Sequence, residues 1–154
     1  MPIERASSRV LPVSPDGQVL LLQDQDPARP GALRWGSIGG GIDTGESPVD
    51  AALRELREET GIVVGAEELV GPFHRAEAAY TYDSVDYVGV HTYFGLRLDR
   101  DVDVTFDHLA PDEVDTVVAA GWWTAAGLDA GAVFLPPDLP AIMTAAIAAV
   151  RGEL

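Results

Sequence analysis

The chain has 154 residues, enough for one domain with a substantial core and too few for two, so residues 1–154 are expected to form a single domain. Its formal charge is −15 and all ten basic residues are arginines, a balance that repels phosphate backbones and argues against nucleic acid as a partner. The absence of cysteine excludes disulfides, thiolate metal sites and cysteine nucleophiles. The first residues lack the apolar run of a signal peptide and the longest apolar stretch, 141–150, is too short to span a bilayer, so a cytoplasmic protein with no membrane partner is expected.

In chain order, residues 8–13 and 18–24 read as two short strands joined by the turn Ser14-Pro15-Asp16-Gly17. The next stretch, 25–47, is rich in proline and glycine and reads as loop. Residues 47–61 are the clearest helix. Ser47 caps it, Pro48 suits its first position and Asp50 completes a capping box. Val49, Ala52, Leu53 and Leu56 supply one buried face and Gly61 ends the helix. Residues 62–82 and 84–98 read as two long strands around a turn at Asp83-Ser84. The acidic stretch 99–120 is irregular, with a short helix expected after Pro111; residues 121–124 read as a strand, and Asp138 to Arg151 as an alanine-rich helix. Strands on both sides of a central helix, with a helix at the end, indicate an α/β or α+β domain with a mixed sheet.

The central helix carries a contradiction. Glu55 has Glu58 and Glu59 three and four residues on, spacings at which like charges repel by a few tenths of a kcal/mol, roughly. Glu58 and Glu59 also stand at the helix C-terminus, where the dipole disfavours anions. A solvated charged face is the bland explanation. The alternative is a hard divalent cation such as Mg²⁺, which prefers a cluster of carboxylate oxygens and shares its remaining positions with water and phosphate. The glycines at 39–41 would then let backbone approach a ligand closely.

The spacing of the whole stretch decides between them. Gly40, five residues, Glu46, seven residues, Arg54-Glu55-Leu56, one residue, Glu58-Glu59, one residue and Gly61-Ile62 fill every constrained position of the Nudix box. The sequence therefore resembles a Nudix hydrolase. The resemblance implies an α/β/α sandwich around a mixed sheet. It also implies hydrolysis of a diphosphate linkage in a small nucleotide-type substrate, dependent on Mg²⁺ or alternatively Mn²⁺. The substrate would be a nucleoside triphosphate, an oxidised nucleotide or a nucleotide sugar such as ADP-ribose. Carried over by position, Glu58 and Glu59 match the metal-binding pair. Glu55 matches the residue that binds metal or serves as base, and Arg54 the arginine that orients these glutamates. The Gly39 carbonyl matches a backbone metal ligand. Glu46 matches the box glutamate with a supporting or metal role, grouped with Gly40 and Gly41 on the substrate side; Trp35, just before the glycines, reads either as a core residue or as lining the substrate pocket. The chain has Ser37-Ile38 where many members have Leu-Pro, so that approach to the loop lacks proline's fixed φ.

Outside the box, members often recruit a further acid from a downstream loop. Glu113 is chosen for that role over Asp112 and Asp115, against the alternative of a helix-capping acid. Trp122 and Trp123 adjoin on a strand, so their side chains should point to opposite faces. Tyr80, Tyr82 and Tyr87 flank the hairpin, where they can stack on a base, though aromatic residues are ordinary on strands. His74, His91 and His108 share no spacing and read as surface or strand residues. Arg29, Arg34, Arg75 and Arg97 are the cations considered for gripping phosphates. A metabolite-sensing domain without turnover is the alternative function, and a monomer or homodimer is expected. An isomerase branch that uses cysteine is excluded by composition.

Overall fold

The pairing of strands, more than local propensity, shapes this chain. The structure, a computed structural model, describes residues 1–153. Its elements are β1 (Ile3–Val13), β2 (Val19–Gln25), β3 (Leu33–Gly36), β4 (Ile38–Gly41), α1 (Pro48–Thr60), β5 (Leu69–Tyr82), β6 (Val85–Arg97), β7 (Val117–Trp123), α2 (Ala125–Gly131) and α3 (Leu139–Val150). One mixed sheet runs β3-β2-β1-β6-β5, with β4 added to β1 and β7 to β2. The parallel pairing of β1 with β6 runs from Ile3↔Tyr87 to Val13↔Arg97. β1 meets β2 only at Val13↔Val19, and β4 takes its Ser7–Val10 stretch instead.

Alternation along the strands gives each face of the sheet its own core. Leu11, Val13, Leu21 and Tyr93 pack beneath α2 and α3 through Leu128, Leu139 and Met143. Val10, Leu20, Leu22, Ile38 and Phe94 pack against Ala52 and Leu56 of α1. The α/β/α layering is as expected. Trp123 joins the first core and Trp122 the second, so each of these neighbours finds apolar cover on its own face.

α1 has the predicted ends. The Ser47 hydroxyl accepts from the Asp50 N–H, the Asp50 carboxylate accepts from the Ser47 N–H, and Gly61 closes the helix at φ 76°. Four expectations need correction. The proline- and glycine-rich stretch after β2 contains two short strands, because β2 and β1 supply ladders that override its weak propensity. No helix follows Pro111: residues 111–116 form turns, including the Glu113 N–H to Ala110 carbonyl bond. The last strand begins at Val117 and leads into the short helix α2, which Thr124 caps and Leu128 anchors in the core. Residues 62–65 lie outside the sheet, and β5 starts after a 3-10 turn at Ala66–Glu68.

α2 and α3 cover only the Leu11, Val13 and Tyr93 end of their face. The same face continues along β1 as Arg5, Ser7 and Arg9, and along β6 through His91. There it becomes the floor of a cavity of about 620 Å³. The C-terminal half of α1 borders this cavity from the side. Among the described residues no helix is long and apolar enough to cross a membrane.

Candidate active site

Arg54 is the hub of the acidic end. Its Nε and Nη2 donate to the two Glu46 oxygens at 2.8 and 2.9 Å, a bidentate fork. Nη2 also reaches the Gly41 carbonyl at 2.9 Å, while Nη1 donates to Glu55 at 3.0 Å and Glu58 at 3.2 Å. One planar group thus fixes two carboxylates of α1 relative to the strand that faces them. Glu46 is held in turn by the Asp43 N–H at 2.8 Å. Arg54 and that N–H keep its carboxyl below the usual range.

Glu55 is 6 % exposed although it is ionisable. Burial and the nearby Glu113 push its carboxyl up to about 7, against the opposing pull of Arg54. Glu113 stands on the turn before β7, and burial raises it too. Oxygen atoms of Glu55, Glu58 and Glu113 all lie within 4.8 Å of one another. Ligand oxygens around Mg²⁺ stand roughly 3–4 Å apart, so a small shift closes these three on a cation and leaves further positions for water. The donor set is hard oxygen, and burial raises two of its three carboxyls, Glu55 and Glu113. A divalent cation fits.

Glu59 is turned differently. Its Oε1 accepts the Gly39 N–H at 2.7 Å, which ties α1 to β4. Burial, then Glu55 and Glu113, raise its carboxyl well above the ordinary value. It therefore borders the trio while one oxygen is committed to backbone. The Gly39 carbonyl accepts from Arg9 Nη1 at 3.1 Å, so it keeps one lone pair beyond that contact.

Two glycines of β4 leave room for charged side chains, and the third for backbone. A Cβ on Gly40 would lie 2.5 Å from Glu55 Oε1, and one on Gly41 would lie 2.7 Å from Arg5 Nη2. One on Gly39, whose φ is +145°, would lie 2.2 Å from the Ser8 carbonyl oxygen, before it reached the Arg9 Cδ at 2.7 Å. Successive residues of a strand face opposite ways, so β4 is a bare partition with a carboxylate on one side and guanidinium groups on the other. Ile38, in place of proline, is fully buried and pairs with Val10; here the ladder sets the geometry that proline would otherwise impose.

The remaining expected residues divide. Trp35 lines the cavity and also packs edge-on against Trp123, with ring centres 5.2 Å apart. Tyr80 and Tyr82 line the cavity. Tyr87 stacks behind Tyr80 at 5.2 Å and carries the Arg5 guanidinium on its ring. Of the four arginines considered for phosphates, only Arg34 borders the cavity, and it is paired with Asp24 at 3.2 Å. The sequence reading missed Arg5, Ser7, Arg9 and His91. His91 is 9 % exposed and its Nδ1 is hydrogen-bonded to the Ser7 hydroxyl. Burial, with Arg9 and Arg5 nearby, lowers its imidazole to about 4, so it is neutral at physiological pH. The available signal was the period of two that carries Arg5, Ser7 and Arg9 into buried Leu11 and Val13.

The NUDIX domain family model matches residues 4–141. An RNA pyrophosphohydrolase of Sphingopyxis alaskensis is 36 % identical over 84 residues, 54 % of this chain and 49 % of that protein. Nudix hydrolase 25 of Arabidopsis thaliana is 32 % identical over 105 residues, 61 % of this chain and 58 % of that protein. The matches thus span about half the length of these curated relatives. Among solved structures, the E. coli dihydroneopterin triphosphate pyrophosphohydrolase superposes with a TM-score of 0.66 at 23 % identity, covering 95 % of both chains. The NUDIX domain of Shewanella oneidensis NrtR, in complex with ADP ribose, gives 0.68 at 18 %, covering 95 % of this chain and 88 % of that one. These two likenesses concern the fold.

Proposed function

The chain belongs to the NUDIX family, and from that premise we propose that it is a pyrophosphohydrolase that cleaves a diphosphate linkage in a small nucleotide with the help of Mg²⁺ or Mn²⁺. The observation that carries this reading is the convergence of Glu55, Glu58 and Glu113 on one space, where Arg54 is, among the described residues, the single cation paired with any of them. When bound there, a divalent cation polarises phosphoryl oxygens, lowers the pKa of water and neutralises developing charge. Glu58 and Glu113 would hold it, with Glu59 beside them. Glu55, aimed by Arg54, would accept the proton of the attacking water as general base, with the cation beside it keeping the carboxylate ionised. Arg54 and Glu46 keep the carboxylates in place and do not meet the reacting atoms. Beneath the reacting group, the bare backbone of Gly40 and Gly41 and the edge of Trp35 would receive the nucleotide.

The test is a panel of nucleoside triphosphates, oxidised nucleotides, nucleotide sugars and dinucleotides, with Mg²⁺, with Mn²⁺ and with chelator. The relatives named RNA pyrophosphohydrolase make a 5′-triphosphorylated oligonucleotide a necessary member of that panel. The expected result is release of phosphate or pyrophosphate from at least one small nucleotide with metal and from none in chelator. No turnover of any member by folded protein that binds the cation would instead leave a sensing domain.

A further inference from the structure

The floor of the cavity carries positive charge that the acidic site does not use. Arg5 and Arg9 project from the same face of β1, four residues apart, which places their Cα atoms roughly 13 Å from each other along the strand. Among the described residues neither pairs with a carboxylate, in a chain of net charge −15. Arg9 spends Nη1 on the carbonyls of Ser37 and Gly39 and keeps its other donors. Arg5 is steadied by the Tyr87 ring, with 5.8 Å from Cζ to the centroid, an arrangement that positions a cation without consuming its N–H groups. Between the two arginines stands His91, held by Ser7 through Nδ1. Its Nε2 lies over Gly89, where a Cβ would come within 2.8 Å.

We propose that Arg9, His91 and Arg5 form an anion track that leads from the carboxylates along β1, and that it selects free nucleotides whose phosphate chain has three or more phosphates. This rests on the reading of the cavity as a nucleotide site. A nucleotide sugar offers only a diphosphate and uncharged hydroxyls; it satisfies the metal site but leaves the two guanidinium groups without a partner. A triphosphate places a further dianionic group beyond the reacting pair, where the planar forks of arginine bind it. A neutral imidazole between two cations adds a hydrogen-bonding group without adding charge.

Binding of inorganic tripolyphosphate in chelator, followed by calorimetry, tests the track with neither metal nor turnover. Wild type should bind, and Arg5→Gln should weaken binding by about tenfold, as expected for loss of a charge-assisted contact. Arg5 makes no hydrogen bond that the fold needs, so this variant should fold; Arg9→Lys, which keeps the charge, should bind better than Arg9→Gln. The His91 imidazole nitrogen resonances should shift on addition of the anion. In turnover, Arg5→Gln should raise KM for a nucleoside triphosphate by about tenfold with kcat within about twofold, and leave KM for a nucleotide sugar unchanged. A 5′-triphosphorylated oligonucleotide should have a higher KM than the free triphosphate. Equal binding of tripolyphosphate by wild type and Arg5→Gln, an equal KM rise for the nucleotide sugar, or preference for the oligonucleotide would overturn the proposal. Absence of hydrolysis of every nucleotide with metal would instead count against the catalytic reading, while the binding result stands on its own.

Discussion

Glu55, Glu58 and Arg54 come from little more than one turn of one helix, whereas Ser7 and His91 meet across 84 positions of sequence. The acidic end of the cavity is fixed by helix geometry, with a single arginine holding two of its carboxylates and Glu46. The basic end is fixed by the register of two parallel strands. A slip of β1 by one residue there would turn Arg5 and Arg9 to the face opposite His91, while the spacing of the carboxylates within the helix would be unchanged. The two ends also respond to protons in opposite senses, because burial holds a carboxyl high and an imidazole low.

The comparison is broken most severely at Glu55. Glu55→Gln keeps the shape of the side chain and removes its ability to accept a proton, so kcat should fall by roughly 100-fold or more, about 2.7 kcal/mol in the barrier. Circular dichroism and a metal titration should show the fold retained. Near-normal kcat would remove Glu55 as the base. Arg54→Lys should cost about 30-fold in kcat, about 2 kcal/mol, because a point charge cannot reproduce the fork on Glu46 while reaching Glu55 and Glu58. Full activity in the lysine variant would show that charge alone suffices.

Stability against pH sharpens the contrast between the ends. In chelator, folded Glu55 holds its proton up to about pH 7 whereas an ordinary glutamate releases it near 4.5. Its contribution is therefore present below about pH 4.5 and lost as pH rises through about 7, on the order of 3 kcal/mol. His91 acts in reverse. Its folded value is about 4 against an ordinary 6.5, so its contribution is present above pH 6.5 and lost as pH falls to 4. Thermal melts in chelator should show Glu55→Gln flattening the loss between pH 4.5 and 7, and His91→Gln flattening the loss below 6.5. Parallel profiles for all three proteins would refute the assignment of these two groups.

What could be read from sequence follows the same division. The acidic helix was legible because its spacing is local, and Ser47, Asp50 and Gly61 mark its ends. The partner of Glu59 was not. Its carboxylate accepts from the Gly39 N–H across 20 positions, a contact set by where β4 crosses α1, so repulsion at the helix end is only part of its situation. The strand character of 38–41 was hidden because three glycines carry no β signal. Only the structure shows that they leave room for the Ser8 carbonyl, Glu55 and Arg5. The arginines considered for phosphates were chosen by scarcity, which ignores the face a strand presents. Arg5 and Arg9 could have been favoured by following the alternation back from Leu11.

Glu113 stands apart in this comparison, since it belongs to the acidic end yet reaches it through tertiary structure. The central claim is that Glu58 of α1 and Glu113 of the distant turn together hold one divalent cation, beside Glu55. A titration of Mn²⁺ into wild type and Glu113→Gln, with free metal followed by electron paramagnetic resonance, tests it without any substrate. The account predicts one tight site in wild type and an affinity about tenfold lower in the variant, about 1.4 kcal/mol. Equal Mn²⁺ affinity in the two proteins would contradict it.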